Sequence, residues 1–308
     1  MGKIAFMFPG QGAQYIGMAK DFYENENCSR EVFEKASKAT DLDIKSLCFD
    51  ENDNINKTEY TQIAMLTAEV AILRAVEQIG IKADYTAGLS LGEYAAVVAS
   101  GIMKEEDAFF AVRKRGIFMQ EAVPVGGAMA AVLGLPSDKI EEICRQTEGN
   151  VSIANYNCPG QIVITGEESA VQQASEQLKE AGAKRVIPLN VSGPFHSKLL
   201  SPVENQLHEV LKGIELQYEK IPYVANLTGD FVFAKEEVKP LLEKQVSSPV
   251  KWQQSVERLI EEGVTTFIEI GPGKTLNGFM KKINKDVIAI SIEHYEDLQK
   301  CQEVLSHA

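Results

Sequence analysis

The sequence predicts an α/β fold in two parts: a larger subdomain on a parallel sheet with helices on its faces, and a small inserted βαββαβ subdomain. Two observations carry this. Short apolar strand-like runs alternate with segments of helical period near the start of the chain, an order that builds parallel sheets. From about Val123 the order changes to β-α-β-β-α-β, the ferredoxin-like sequence of elements. The expected boundaries are 1–122 and 192–308 for the larger subdomain and 123–191 for the insert. A chain of 308 residues with 44% hydrophobic content can fill two such cores.

Taken in order, Lys3 to Phe8 reads as a buried strand, ended by Pro9-Gly10-Gln11-Gly12. Gly10 and Gly12 begin a dinucleotide fingerprint, but Tyr15 stands where its third glycine belongs, which argues against a nucleotide site. Ile63, Leu66, Val70 and Leu73 recur at helical spacing and predict an amphipathic helix. Tyr85 to Ala87 is strand-like, and Glu93 to Ser100 helix-like. In the insert, strands are expected at Ala128–Leu133, Val151–Tyr156, Gln161–Thr165 and Arg185–Leu189. Helices fall at Ser137–Thr147, with Ser137 as its cap, and at Glu167–Ala181. The turn Asn157-Cys158-Pro159-Gly160 joins the middle strands. The chain then returns through a helix (Leu199–Leu211), a strand (Ile221–Asn226), a helix (Trp252–Glu262) and a strand (Thr266–Ile270). Gly271-Pro272-Gly273 turns into a helix beginning near Leu276.

Composition excludes several functions. A net charge of −13 argues against nucleic acid and anionic membranes as partners. No run approaches 18 apolar residues, and the first residues lack the pattern of a secretion signal or a myristoylation site. The five cysteines are scattered and form no Cys-x-x-Cys pair, so neither a disulfide framework nor a metal site is expected. A reducing cytoplasm is the corresponding expectation; a monomer is expected too, though composition does not derive it.

Gly88-Leu89-Ser90-Leu91-Gly92 is the segment that carries chemistry. A serine on a tight strand-to-helix turn exposes its hydroxyl at the sheet's carboxyl edge, with glycines where a side chain would clash. Free N–H groups of the helix start can hold an oxyanion there. A chance match in a chain of this length arises about one time in ten, so its setting has to decide. A serine nucleophile needs a base. Of four histidines, His307 lies in the tail, His208 sits mid-helix as a structural residue, and His294 is ambiguous. His196, in Ser192-Gly193-Pro194-Phe195-His196-Ser197, stands where the insert rejoins the main subdomain; base and loop-capping histidine are both open for it on residue type alone.

Further pieces make the pattern specific: Phe8-Pro9-Gly10-Gln11-Gly12, Glu93, Arg115-Gly116, Asn155 to Ile162, Phe195-His196, Gln245, Ser248-Pro249-Val250-Lys251-Trp252 and Ile270-Gly271-Pro272-Gly273. In this order and at these distances the chain resembles the malonyl-CoA:acyl-carrier-protein transacylases of the acyltransferase family, over nearly its whole length. The resemblance implies an α/β-hydrolase-like larger subdomain and a ping-pong transfer of malonyl from malonyl-CoA, through a seryl ester, to the phosphopantetheine thiol of acyl carrier protein in fatty-acid synthesis. It implies no cofactor or metal. By the same resemblance Ser90 is the nucleophile, His196 its base, and Gln245 the residue whose backbone carbonyl orients that base. The N–H groups of Gln11 and Leu91 form the oxyanion hole, and Arg115 grips the malonyl carboxylate. Phe195 resembles the malonyl-preferring form, where a bulky ring crowds an α-methyl branch. One position departs: Leu89 replaces a histidine common in the family, which bears on the polarity of the pocket. A loader for polyketide synthesis, a serine acyl hydrolase and an idle carrier-binding module are the alternatives. Lys281, Lys282 and Lys285, or Lys184 and Arg185, are the candidate basic patches for an acidic carrier.

Overall fold

The computed structural model describes residues 2–123, 125–191 and 193–307. Met1, Ser192 and Ala308, which bound the expected segments of the larger subdomain, lie outside the described residues. Among the described residues ten strands form two sheets: β1 (Lys3–Phe8), β2 (Tyr85–Gly88), β3 (Gly127–Leu133), β4 (Val151–Cys158), β5 (Gln161–Glu167), β6 (Arg185–Pro188), β7 (Tyr223–Ala225), β8 (Asp230–Phe231), β9 (Val264–Ile270) and β10 (Ile288–Ile292).

The six-stranded sheet has the order β10-β9-β1-β2-β7-β8, parallel except for the edge pair β7–β8. Strand β1 shows why both faces are covered. Successive side chains alternate, so Ala5 and Met7 join a core with Trp252, Leu259 and Leu276 on one face. Phe6 and Phe8 pack with Ile63, Leu66 and Val70 on the other. A strand buried on both sides must be apolar without a break, which is how the run Ile4–Phe8 within β1 reads, Lys3 standing exposed at its start.

The helix carrying Ile63, Leu66, Val70 and Leu73 spans Thr58–Gln78, and sixteen of its 21 residues are buried. It is not the one-sided amphipathic helix expected. Helices at Asn27–Thr40 and Glu105–Ala122 pack against it and close what would otherwise be its solvent face. A helix enclosed all round is apolar all round, and no single stripe describes it.

The four-stranded sheet, built between residues 127 and 188, is antiparallel with the order β4-β5-β3-β6. Helices Ser137–Gln146 and Glu168–Glu180 cover one face through Ile140, Ile143, Val171 and Leu178. Pro136, not Ser137, precedes the first of these, and Ser137 makes no side-chain cap bond. The opposite face presents Met129, Ala154 and Val163 toward Met119 and Phe195. The two sheets are joined at β4, where Tyr156 N–H donates to Val250 O and Val250 N–H to Ala154 O, at 2.9 and 2.8 Å. That junction holds the segment following Gln245 against the second sheet.

Candidate active site

Among the described residues, a cleft of about 190 Å³ opens between the sheets, at the carboxyl ends of β1 and β2. Ligand sites of open parallel sheets form at this edge. Gln11, Leu89, Ser90, Leu91, Arg115, Phe195 and His196 all line it, so residues spread over most of the chain meet in one place. Met129, Asn155 and Val163 supply the wall from the second sheet.

The turn that presents Ser90 is tight. A Cβ at Gly88 would stand 1.9 Å from Gly92 O, and one at Gly92 would stand 2.2 Å from Phe8 O. Both glycines are thus required by close backbone approach. Ser90 has φ 53°, in the left-handed region that costs a non-glycine residue on the order of 1–3 kcal/mol. Asn226 compensates: its Oδ1 accepts from Ser90 N–H and its Nδ2 donates to Gly88 O, both at 2.6 Å.

Ser90 Oγ lies 2.7 Å from His196 Nε2, and His196 Nδ1 lies 2.9 Å from the backbone carbonyl of Gln245. A carbonyl can only accept, so Nδ1 carries the proton and Nε2 is free to receive one from the serine. His196 is 4% exposed, and burial, assisted by the Arg115 charge, lowers its pKa to about 4. The imidazole is therefore neutral at pH 7, in the form a base needs. It too has positive φ, 60°, held by its N–H bond to Val246 O.

Arg115 is wholly buried. One terminal nitrogen donates to Gln62 Oε1 at 2.7 Å; the other donates to Gln245 Oε1 at 2.9 Å and to Ser90 Oγ at 3.2 Å. Among the described residues no carboxylate lies within ion-pair distance of it, and its Nε has no partner. Burial lowers its pKa, yet a guanidinium stays charged. A buried cation with no carboxylate in direct contact, beside a serine hydroxyl, favours an anionic group on the ligand. Neither the Gln11 nor the Leu91 N–H has a hydrogen-bond partner among the described residues, so both are free to act as donors.

The remaining expectations divide. Phe195 lines the cleft and packs against Met119, Met129 and Leu200, so it is both wall and core. Leu89 is half-buried in the cleft, and its N–H donates to Phe8 O at 2.9 Å. A side chain at Gly10 would press on the Leu89 carbonyl at 2.8 Å. His208 is exposed and pairs with Glu243, His294 faces Asp21 and Glu293, and His307 ends the last helix; none of them lines the cleft.

Gln62, Asn226 and the side chains of Glu93 and Gln245 were not given roles by sequence reasoning. Gln245 Nε2 donates to Ser90 O at 2.9 Å and to Glu93 Oε2 at 2.6 Å. Burial raises the Glu93 pKa to about 7. No spacing rule links these positions, because each arrives from a different element.

The chain matches the family model described as acyl transferase domain over residues 5–300. It is 45% identical, over 99% of its length and 98% of the relative's, to the malonyl CoA-acyl carrier protein transacylase of Bacillus subtilis. The solved structure of the Clostridium perfringens malonyl CoA-acyl carrier protein transacylase superposes with TM-score 0.96 at 44% identity, covering 99% of this chain and 98% of that one. A malonyl-transacylase solved with a type II polyketide acyl-carrier protein superposes with TM-score 0.95 at 39% identity, covering 98% and 99%.

Proposed function

The chain belongs to the acyl transferase family, and from that premise we propose that it moves malonyl from malonyl-CoA to the thiol of acyl carrier protein for fatty-acid synthesis. The observation that carries the mechanism is the position of Ser90 Oγ, shared between His196 Nε2 at 2.7 Å and an Arg115 nitrogen at 3.2 Å.

In the first half-reaction the Ser90 proton passes to His196 Nε2 as Oγ attacks the thioester carbon. The oxyanion accepts from the N–H groups of Gln11 and Leu91. Collapse breaks the C–S bond, and the CoA thiolate leaves with the proton from His196. In the second half the carrier's thiol gives its proton to His196 and attacks the seryl ester; Ser90 leaves and regains its proton. Arg115 clamps the malonyl carboxylate through its planar fork, which a lysine could not match. No residue of this cycle requires a cofactor or metal. We read the two sheets as an α/β-hydrolase-like subdomain with a ferredoxin-like insert, at the boundaries expected from the sequence. A monomer in a reducing cytoplasm completes the proposal.

Incubation with malonyl-CoA alone tests it. One stoichiometric burst of CoA, with a malonyl adduct at Ser90 by peptide mass spectrometry, is expected. Continuous CoA release would mean a hydrolase, and a folded protein without adduct would mean a carrier-binding module.

Carrier docking must overcome the net charge of −13. Thr275 and Phe279 of the helix Thr275–Ile283 line the cleft, and Lys281 and Lys282 are exposed in its last turn. Beyond about 8 Å physiological salt screens the remaining charge, so a local patch suffices. Reversing both lysines to glutamate is expected to raise the carrier's KM several-fold at low salt, with kcat kept. An unchanged KM there would refute this docking face.

A further inference from the structure

We propose that Glu93 is a positioning residue for the acyl transfer, holding Gln245 and Asn226 so that base, nucleophile and guanidinium keep one geometry. The proposal deepens the acyl-transfer reading and rests on it.

Glu93 touches none of the reacting atoms. Its Oε2 accepts from the Gln245 side-chain amide at 2.6 Å and from Asn226 N–H at 3.2 Å, and Oε1 has no partner among the described residues. Each of its two partners holds a different part of the site. Asn226 pins both ends of the strained turn, through Ser90 N–H and Gly88 O. Gln245 offers its carbonyl to His196 and its Oε1 to Arg115, while its Nε2 reaches Ser90 O.

The orientation of the Gln245 amide is the decisive point. An amide has one accepting end and one donating end. With Glu93 accepting, the –NH₂ end must face Glu93, so the oxygen faces Arg115. Turned over, the amide would set two donors against each other at Arg115 and two acceptors at Glu93. The carboxylate thus adds a second and charged acceptor, beside the Ser90 carbonyl, for the –NH₂ end of an amide whose oxygen Arg115 holds by a single bond. Because the Gln245 backbone also holds His196, a displaced amide disturbs the base and the guanidinium together. That coupling separates a positioning role from a packing one: rate and acyl preference should move as a pair.

The test measures single-turnover acylation, with malonyl-CoA and with acetyl-CoA, for the wild type, Glu93→Gln and Glu93→Ala, beside their melting temperatures. Glu93→Gln keeps shape and one acceptor but loses the charge. It is expected to acylate about tenfold more slowly, the loss typical of one weakened charge-assisted bond. Its malonyl-over-acetyl preference should fall at least about threefold, with folding intact. Glu93→Ala should lose about a hundredfold in rate. Wild-type preference in Glu93→Gln would overturn the proposal, and that variant decides alone if Glu93→Ala does not fold. A rate that falls only in step with melting temperature, at wild-type preference, would overturn it too. A wild type with no malonyl burst would instead sink the acyl-transfer reading itself, so the two failures are distinct.

Discussion

Ser90→Ala is expected to form no malonyl adduct; Ser90→Ala and His196→Ala are each expected to slow malonyl transfer from malonyl-CoA to the carrier thiol by about 10⁴-fold or more, and the double variant to be no slower than either. The two side chains share one proton at 2.7 Å and act as a unit, so removing the second after the first removes nothing further. Multiplying losses would show that the pair does not work together. The same geometry gives a pH expectation. His196 is pushed down to about 4 by burial and by Arg115, so it stays neutral as pH falls through the ordinary imidazole range and is protonated only near the lower value. Single-turnover acylation should therefore keep its base active down to about pH 4–5. A second acid limb near pH 7 would belong to Glu93, which titrates about there, and Glu93→Gln should remove it. A limb near 6.5 that survives that substitution would mean the imidazole is solvated.

Much of this was legible in the residues. Ile4–Phe8 announces itself because a strand buried on both faces is continuously apolar, whereas the strand expected at Thr266–Ile270 runs over Val264–Ile270 and carries the buried Glu269 among its apolar residues. The pentapeptide announces Ser90 because both its glycines answer a backbone contact that no other residue permits. Helices at Asn27–Thr40 and Glu105–Ala122 escaped notice. So did the full burial of Thr58–Gln78, which depends on those two neighbours rather than on its own period. In the site, the base and the clamp were reached through family-like motifs, not through spacing. Asn226, Gln62 and the Gln245 side chain follow no local rule. A polar residue becomes a hub only when distant elements converge, as when helix Lys235–Gln245 ends behind the turn at Ser90.

Arg115→Ala is expected to lower the malonyl-over-acetyl preference about a hundredfold, mainly by weakening malonyl transfer. Among the described residues no carboxylate pairs with the guanidinium, and its hydrogen-bond partners Gln62, Gln245 and Ser90 are neutral. A malonyl carboxylate gives it a counter-charge in a buried setting, whereas an acetyl group leaves it unpaired. Breaking a buried pair by removing one partner costs about 3 kcal/mol or more, and each 1.4 kcal/mol is a factor of ten. At an exposed arginine the same comparison would give less than about 1 kcal/mol, so burial turns a weak preference into a strong one. Acetyl transfer should fall less, because Arg115 also faces Ser90 Oγ and its charge favours the serine's deprotonation for any acyl group. Arg115→Lys is not expected to restore the preference, since an ammonium cannot present two parallel donors to a carboxylate. Paired kcat/KM values for malonyl- and acetyl-CoA check both variants. A preference unaltered in Arg115→Ala would place the carboxylate's grip elsewhere in the cleft.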